Sequence, residues 1–377
     1  MIYLDNAATT QPCEAARAAV MKGLESFGNP SSLHRLGLDA ELLVSHARKV
    51  IAKSLGCDEE EIYFTSGATE SSNTAIFGAY KSLGKRMKRV VTTTVEHPAT
   101  ARAVDELERL GCRVVRIAPD EQGKFSAGEI LRAVDDNTFL VTMMLVNNET
   151  GALLPVQKAF SMIKKKYPKV LTHCDCVQGY MKLPVRTKAL GADLISLSGH
   201  KVYGPKGIGA LYVRKGVHLP CFVFGGGQEK GFRSGTESVP LITGFGAAVE
   251  ELSGRISENL EKARELESYL YERCGEVEDI SINYRDEEKS PYVTSISVKG
   301  LRSEVLLHYL EKRDIYVSSG SACSKGKKSS VLQEFRIPVP AQDTTIRVSI
   351  GVNTTKADID GLMEGIKAAL GELAKIR

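Results

Sequence analysis

Seven short apolar segments alternate with longer segments of helical periodicity between residues 40 and 214. The apolar segments span residues 61–66, 89–95, 113–118, 139–146, 169–175, 193–198 and 208–214. The segments with helical spacing span residues 40–55, 69–83, 98–110, 126–135 and 156–166. Strands that are buried on both faces are almost wholly apolar, and strands that alternate with helices form parallel sheets. The pattern therefore predicts an α/β fold in which helices cover a mostly parallel seven-stranded sheet.

The second part of the chain has a different pattern. It contains, in order, a charged amphipathic segment, a strand, a helix, a second strand and a final helix, at 246–275, 292–300, 303–313, 345–351 and from 355 onwards. Thr355 and Asp358 are spaced as a capping pair for that final helix. We therefore predict a large α/β domain over residues 15–245, and a smaller α+β domain formed by residues 1–14 and 246–377.

Composition narrows the class of protein. The chain has 377 residues, and its 50 lysines and arginines against 46 aspartates and glutamates leave a net charge of +4. This balance disfavours a dedicated nucleic-acid binder, which carries a dense basic patch. The apolar runs are shorter than the ~18 residues that cross a bilayer, and the first residues do not resemble a signal peptide. Because eight cysteines in a chain of this length are typical of reduced thiols, we expect a cytoplasmic protein without direct nucleic-acid or membrane partners.

Polar motifs follow three of the predicted strands. They are 66-SGATESSN-73, 173-HCDCVQ-178 and 198-SGHKVYGPKG-207. Ligands of open α/β sheets bind at the carboxyl ends of the strands, so these motifs are expected to meet. Taken singly, each has an ordinary interpretation, namely a helix cap, an ion-pair partner or a surface lysine. Together they offer Lys201 for a Schiff base, Asp175 for a pyridinium nitrogen, and residues 66–69 with Ser198 for a phosphate, which are the needs of pyridoxal 5′-phosphate.

Two further residues stand out from their surroundings. Cys323 lies in the Gly/Ser-rich segment 317-VSSGSACSKG-326, which predicts an exposed loop. Lysines at 325, 327 and 328 favour the thiolate, the nucleophilic form of this residue. Arg347 lies in an apolar strand, where its charge needs a partner. That partner is either a substrate carboxylate or an internal aspartate or glutamate.

A metal site is the alternative reading of Cys174 and Cys176. Strand alternation, however, sends these two cysteines to one face of the sheet and His173 and Asp175 to the other. The sequence offers no second cysteine pair that would complete a set of four ligands. We therefore predict no metal site.

With these motifs in order, the chain strongly resembles the cysteine desulfurases of the NifS/IscS type, within the fold-type I, class-V aminotransferase-like enzymes that use pyridoxal 5′-phosphate. The resemblance runs almost from end to end. It is carried by 3-YLDNAATT-10, 64-FTSGATES-71, 96-EHPA-99, 147-NNETG-151, 175-DCVQ-178, 198-SGHKVYGPKGIGALYVR-214, 225-GGGQEKGFRSGT-236, 318-SSGSACS-324 and 346-IRVSIG-351. The chain departs from the pattern at Cys174 and Cys176, where small or aliphatic residues are usual, and is only loosely similar over 331–340.

The resemblance implies a role for each matching residue. Lys201, Cys323 and His97 match the catalytic residues: the Schiff-base lysine, the persulfide-forming cysteine and the histidine stacked on the cofactor ring. The implied cofactor-binding residues are Lys201, Asp175, Gln178, Asn148, Ala68, Thr69, Ser198, His200 and Thr236, the last reaching in from the other subunit. Arg347 matches the anchor of the substrate carboxylate, with Asn6, Asn148 and Arg233 as further substrate contacts.

The implied activity is the conversion of L-cysteine to L-alanine by a homodimer, with the sulfur carried by Cys323 to an acceptor. That acceptor would be an iron–sulfur scaffold or another sulfur-accepting protein. Two alternatives remain open at this point. One is a selenocysteine lyase or another class-V enzyme, which would not need Cys323. The other is a non-enzymatic thiol or metal-binding module centred on Cys174 and Cys176.

Overall fold

The computed structural model describes residues 1–285, 288–319 and 330–374. The strands are β1 (Ile2–Tyr3), β2 (Ile62–Thr65), β3 (Arg89–Thr93), β4 (Arg113–Ile117), β5 (Thr138–Met144), β6 (Leu171–Asp175), β7 (Leu194–Ser198), β8 (Gly209–Val213), β9 (Ile280–Ile282), β10 (Val293–Val298), β11 (Ile315–Tyr316) and β12 (Thr345–Ser349). The helices are α1 (Glu14–Glu25), α2 (Arg35–Leu55), α3 (Ala68–Leu83), α4 (Pro98–Arg109), α5 (Ala127–Ala133), α6 (Val156–Lys166), α7 (Thr187–Leu190), α8 (Val239–Ser253), α9 (Ile256–Gly275), α10 (Ser303–Glu311), α11 (Ser330–Glu334), α12 (Val339–Gln342) and α13 (Lys356–Glu372).

The predicted seven-stranded sheet is present, and each of the seven apolar segments contributes one strand. The strand order is β2-β8-β7-β6-β5-β3-β4. Strand β8 is antiparallel to both of its neighbours, and the remaining pairs are parallel. Strand β2 therefore runs in the same direction as β3–β7. The carboxyl ends of these six strands lie at one edge of the sheet, which is where ligands of open α/β sheets bind.

A buried polar network ties the middle of this sheet to helix α3. The His173 ring on β6 is hydrogen-bonded through Nδ1 to Thr142 Oγ1 on β5 at 2.7 Å and through Nε2 to Ser196 Oγ on β7 at 2.9 Å. Ser72 of α3 donates to the same Ser196 hydroxyl at 3.1 Å. Because both ring nitrogens have partners, His173 is tolerated at a fully buried position.

A second hydrophobic core lies around the small three-stranded sheet, whose order is β12-β10-β9. It contains Leu4 from the start of the chain together with side chains from α9, α10 and α13. Strand β1 pairs with β11, so the N-terminal segment is integrated into this part of the fold. The separation of the cores supports the two-domain division, although residues 331–337 pack on the larger core. The domain boundaries stay a prediction.

Local signals agree with the structure at some points and not at others. The predicted capping box of the last helix is present, with Thr355 and Asp358 each bonded to the backbone of the other. The amphipathic segment 246–275 is not a single helix, because α8 ends at Ser253 and α9 begins at Ile256. Helix α1 was not predicted from the sequence.

None of the helices in the described part of the chain is long and apolar enough to cross a membrane.

We predict that His173 makes the protein less stable as the pH falls. Burial lowers the pKa of His173 from 6.5 to about 3. Between these two pH values the unfolded chain binds a proton at His173 that the folded protein does not. The contribution of His173 to the free energy of unfolding is therefore fully present above pH 6.5 and is lost as the pH falls towards 3. The free energy of unfolding should drop by about 2 kcal/mol from pH 7 to pH 5 through this residue. Denaturant unfolding at the two pH values measures the drop.

The control variants separate this residue from the other histidines. His173→Asn should unfold more easily at pH 7, and its drop from pH 7 to pH 5 should be smaller than that of the unchanged protein by about 2 kcal/mol, while the drop that His200 contributes remains. His218 is exposed, so His218→Asn should retain the full drop. An undiminished drop in His173→Asn would contradict the assignment.

Candidate active site

A cavity of about 460 Å³ opens at the carboxyl edge of the seven-stranded sheet. It is lined by segments that follow β2, β3, β5, β6 and β7, and by residues from the start and the end of the chain. Ten residues singled out from the sequence line it, namely Ala68, Thr69, His97, Asn148, Asp175, Gln178, Ser198, His200, Lys201 and Arg347. The structure therefore brings together the three strand-end motifs that were expected to meet.

The turn between β2 and α3 is shaped by two glycines. Gly67 precedes the helix with φ of 155°, a conformation that side chains rarely adopt. A Cβ on Gly209 of the neighbouring strand would lie 2.7 Å from the Gly67 Cα, so a side chain there would displace the turn. The first turn of α3, beginning at Ala68 and Thr69, thus faces the cavity with the backbone N–H groups that a helix leaves without intrahelical partners. Such a turn binds anions.

Asp175 is the buried carboxylate of the cavity. Its Oδ1 accepts the Val177 N–H at 3.0 Å, and Oδ2 makes no hydrogen bond to the described residues. Burial raises the pKa of Asp175, and the hydrogen bond from the Val177 N–H and the charge of Lys201 oppose that rise. A cationic ligand beside Asp175 would likewise favour the ionised carboxylate.

His97 begins helix α4 with its side chain. Its Nδ1 accepts the Ala99 N–H at 3.1 Å. The proton of the neutral ring is therefore on Nε2, which is left as a hydrogen-bond donor. Burial lowers the pKa of His97, and protonation of Nδ1 would also break the cap, so the neutral ring persists at neutral pH. His200 is neutral as well, because burial and nearby lysines lower its pKa to about 4.

Lys201 ends a short 3-10 turn that directly follows β7. Its Nζ donates to the backbone carbonyls of Ala7 at 2.6 Å and Ala8 at 2.7 Å. The sequence motif 3-YLDNAATT-10 was recognised, but residues 7 and 8 were given no role. Backbone carbonyls carry no side-chain signal that could have revealed it.

Gln178 is held from two sides. Its Nε2 donates to the Ala7 carbonyl at 2.9 Å, and its Oε1 accepts from Lys182 Nζ at 3.0 Å. Lys182 is only 5% exposed. Burial, followed by the charges of Lys201 and Arg347, lowers the pKa of Lys182 to about 7. Sequence reasoning missed this lysine, whose one local signal is its position four residues after Gln178.

Arg347 has an internal partner. Its Nη2 donates to Asp5 Oδ1 at 2.8 Å and its Nη1 to the Asn148 carbonyl at 2.9 Å, while Nε is buried without a hydrogen bond to the described residues. Of the two partners left open by the sequence, the internal aspartate is the one present. Arg347 still lines the cavity. Asn6 turns away to the Ser349 carbonyl, to which it donates at 2.9 Å.

The neighbouring asparagines at positions 147 and 148 lie in different surroundings. Asn147 is fully buried, and its Oδ1 accepts the N–H groups of Glu149 and Thr150 at 3.0 Å each. It therefore shapes the loop after β5. Asn148 lines the cavity, as predicted.

Of the predicted residues that the structure describes, Thr236 and Arg233 join Asn6 in not lining the cavity. Thr236 is exposed and borders a neighbouring pocket. Arg233 also borders that pocket and is paired with Glu70, with Nε 2.8 Å from Oε1. Cys323 lies outside the described residues, which end at 319 and resume at 330.

Comparison with known proteins decides the family. A model of the aminotransferase class-V family matches residues 2–362. The chain belongs to the class-V aminotransferase family. Members of this family are enzymes, and pyridoxal 5′-phosphate is the cofactor of the family.

Two curated relatives are both named as cysteine desulfurases. The chain is 36% identical to "Cysteine desulfurase IscS" of Dictyoglomus turgidum, over the whole chain and 96% of the relative. It is 38% identical to "Cysteine desulfurase" of a Nostoc species, over 97% of the chain and 91% of the relative. Among solved structures, a NifS-like protein superposes with a TM-score of 0.93 at 34% identity, covering 99% of this chain and 100% of the other. "SspA in complex with cysteine" superposes at 0.83 with 31% identity, covering 94% and 100%. The predicted family and fold are confirmed.

The residues present fit pyridoxal 5′-phosphate. The cavity offers an amine on Lys201, a buried carboxylate on Asp175 with Oδ2 free of hydrogen bonds to the described residues, and a helix N-terminus at Ala68 and Thr69 for a phosphate. These three groups are separate walls of one space, which is what a ligand with an aldehyde, a ring nitrogen and a phosphate requires.

We predict that the Asp5–Arg347 pair contributes measurably to stability. The Arg347 side chain is 3% exposed and that of Asp5 is 21% exposed. Asp5→Asn leaves a buried guanidinium without its counter-charge, so it should lower the free energy of unfolding by about 1–2 kcal/mol.

Asp314→Asn is the matched control for this variant. Asp314 pairs with the N-terminal amine at an exposed position, so its loss should lower stability clearly less than the loss of Asp5. Denaturant unfolding compares the two variants. Equal losses of unfolding free energy in the two variants would contradict a larger contribution from the buried pair.

Proposed function

We propose that the protein is a cysteine desulfurase that converts L-cysteine to L-alanine and collects the sulfur on Cys323 as a persulfide. The observation that carries the proposal is the common cavity of Lys201, Asp175 and His97, in a chain that aligns over at least 97% of its length with named cysteine desulfurases. The site residues are assigned by this match of motif and position.

The proposed cofactor is pyridoxal 5′-phosphate. Lys201 would bind its aldehyde carbon, Asp175 its ring nitrogen, Gln178 its ring oxygen, and the first turn of α3 its phosphate. Ser198 and His200 complete the phosphate contacts. When bound, the cofactor supplies an electron sink that weakens the bonds at the α-carbon of an amino acid.

Lys201 is the proposed base for the proton on the substrate Cα. In the present structure its Nζ donates to two carbonyls, so these hydrogen bonds have to be exchanged before Nζ can act. The carbonyls of Ala7 and Ala8 then give the displaced amine a defined place to return to. This arrangement keeps the lysine near the reacting carbon.

His97 and Arg347 are the proposed substrate contacts. The neutral His97 ring offers Nε2–H, which donates to the substrate sulfur and orients it. Arg347 offers its guanidinium to the substrate carboxylate, which would share or replace the Asp5 contact. Asn148 lies on the same wall as Arg347 through its carbonyl.

The proposed sulfur transfer balances in atoms and electrons. The Cys323 thiolate attacks the substrate sulfur, a sulfur–sulfur bond forms, and the bond from sulfur to the substrate Cβ breaks. The electron pair of that bond stays with the carbon fragment, which takes up protons and leaves as alanine. Cys323 lies outside the described residues, so its part rests on the sequence motif.

A homodimer is part of the proposal. Exposed large apolar side chains concentrate in residues 21–42, which comprise the end of α1, the loop after it and the start of α2. Among the described residues this segment exposes Met21, Leu24, Phe27, Leu33, Leu36, Leu38 and Leu42, each by 47% or more. A second copy of the chain would remove this surface from water. Thr236, exposed here, would then reach the partner's phosphate site.

We further propose a cytoplasmic location and delivery of the sulfur to an iron–sulfur scaffold or another acceptor protein. The cysteines in the described part of the chain are all free thiols, which fits a reducing compartment. The names of the relatives support the acceptor class.

We predict that Cys323→Ser abolishes sulfur transfer but not cofactor binding. The purified variant should remain yellow with pyridoxal 5′-phosphate, because Lys201 and Asp175 are intact. With L-cysteine it should form no persulfide and less than about one hundredth of the alanine of the unchanged protein, since serine lacks a nucleophilic sulfur. Mass spectrometry of the Cys323 peptide and an alanine assay provide the measurements.

Cys221→Ser is the control, because Cys221 is a half-buried thiol outside the cavity. It should retain full activity. Full activity in Cys323→Ser would refute the desulfurase proposal, and a protein that never binds the cofactor would refute it at an earlier step.

We predict that the double substitution Phe27→Asp and Leu33→Asp gives a monomer. These side chains are 80% and 105% exposed in the single chain, so charge there would oppose association without disturbing the core. Analytical ultracentrifugation should show a mass about half that of the unchanged protein. Leu110→Asp, at an exposed position after α4, should leave the mass unchanged. A monomeric unchanged protein would contradict the prediction.

A further inference from the structure

Lys182 is a buried lysine that the proposed mechanism does not use. It is 5% exposed, and the hydrogen bond from its Nζ to Gln178 Oε1 is the only one that Nζ makes to the described residues. A buried amine with a single partner is expensive to maintain, because the remaining N–H groups lose their hydration. Its single partner is a residue of the cavity wall.

The two contacts of Gln178 fix the orientation of its amide. Lysine donates hydrogen bonds and the Ala7 carbonyl accepts them, so the Lys182 side must carry the amide oxygen and the Ala7 side the amide nitrogen. A flipped amide would set N–H against N–H on one side and oxygen against oxygen on the other. Either contact alone would bias the amide, and the two together determine it.

One hydrogen of the amide remains for a ligand. Nε2 has two N–H groups, and Ala7 takes one of them. Because Gln178 lines the cavity, the second N–H is what this wall offers. A ligand oxygen that accepts a hydrogen bond is favoured there, and a ligand donor is disfavoured.

We propose that Lys182 is a positioning residue that holds the Gln178 amide with its N–H towards the cavity, and so selects a hydrogen-bond-accepting oxygen on the bound cofactor. This inference rests on the proposed function, because it takes pyridoxal 5′-phosphate and its ring oxygen as the ligand. It adds a residue that touches neither cofactor nor substrate. Lys182 acts through Gln178 alone, so its effect disappears when that side chain is removed.

A double-mutant cycle tests this dependence. The cofactor-free protein is titrated with pyridoxal 5′-phosphate, and the dissociation constant is read from the visible absorbance. Lys182→Met should raise the dissociation constant about tenfold when Gln178 is present, since Ala7 alone then biases the amide and its oxygen turns to the cavity in a larger fraction of the molecules. In the Gln178→Ala background the same substitution should change it by less than about twofold.

A second variant separates hydrogen bonding from charge and from folding. Lys182→Gln keeps a donor facing Gln178 Oε1 but removes the charge, so affinity should stay within about threefold of the unchanged protein. A tenfold loss in Lys182→Gln, with thermal unfolding close to that of the unchanged protein, would overturn the proposal. This arm decides the matter even if Lys182→Met does not fold.

Lys289 provides a matched buried lysine away from the cavity. It is 7% exposed and is paired with Glu267, and it does not line the cavity. Lys289→Met should lower the melting temperature but leave the dissociation constant within about twofold.

The outcomes distinguish this inference from the proposed function. Equal losses from Lys182→Met with and without Gln178 would overturn the positioning role, while cofactor binding by the unchanged protein would leave the proposed function standing. If the unchanged protein does not bind pyridoxal 5′-phosphate, the proposed function fails, and this inference fails with it.

Discussion

The common direction of six strands is the constraint on which the site depends. Strands β2 to β7 end at one edge of the sheet, although β2 reaches that direction only because β8 is inverted between it and β7. Side chains within these strands point to one or the other of two buried faces of the sheet. Polar residues therefore concentrate at the strand ends. The site therefore assembles at this one edge, from the start of the helix at Ala68, the carboxylate of Asp175 and the amine of Lys201. The hydrogen bonds between His173 and its neighbours on β5 and β7 help to hold that edge in register.

The start of the chain closes the site from the other side. The Ala7 carbonyl accepts hydrogen bonds from both Lys201 and Gln178, so one backbone atom joins two proposed cofactor contacts. The same segment is attached to β12, where Asn6 and the Ala7 N–H bind Ser349. This side of the cavity is therefore formed by backbone groups of the N-terminal segment, and that segment connects the large sheet to the small one.

Sequence reasoning succeeded where the signal was local. The seven strands were predicted because burial on both faces requires apolar runs. Asp175 and Lys201 were predicted because Asp175 ends one such run and Lys201 lies three residues after another. Pairings over long distances were not predictable. The partner of Arg347 is Asp5, 342 positions away, and a substrate carboxylate satisfied the same sequence pattern. Lys182 was missed because lysine is ordinarily an exposed residue, and its burial is a property of the assembled fold alone.

The dependence of the cavity on Ala7 has a consequence for biosynthesis. The segment that binds Lys201 is made before the strand that anchors it, β12, which follows 342 residues later in the case of Ser349. At elongation rates of about 5–20 residues per second, that interval is on the order of 20–70 s. During this time the sheet can form, while the first ten residues wait without their final partners. The nascent chain therefore has a stage in which all seven strands of the large sheet have been made and β12, which anchors the segment that contacts the lysine, has not.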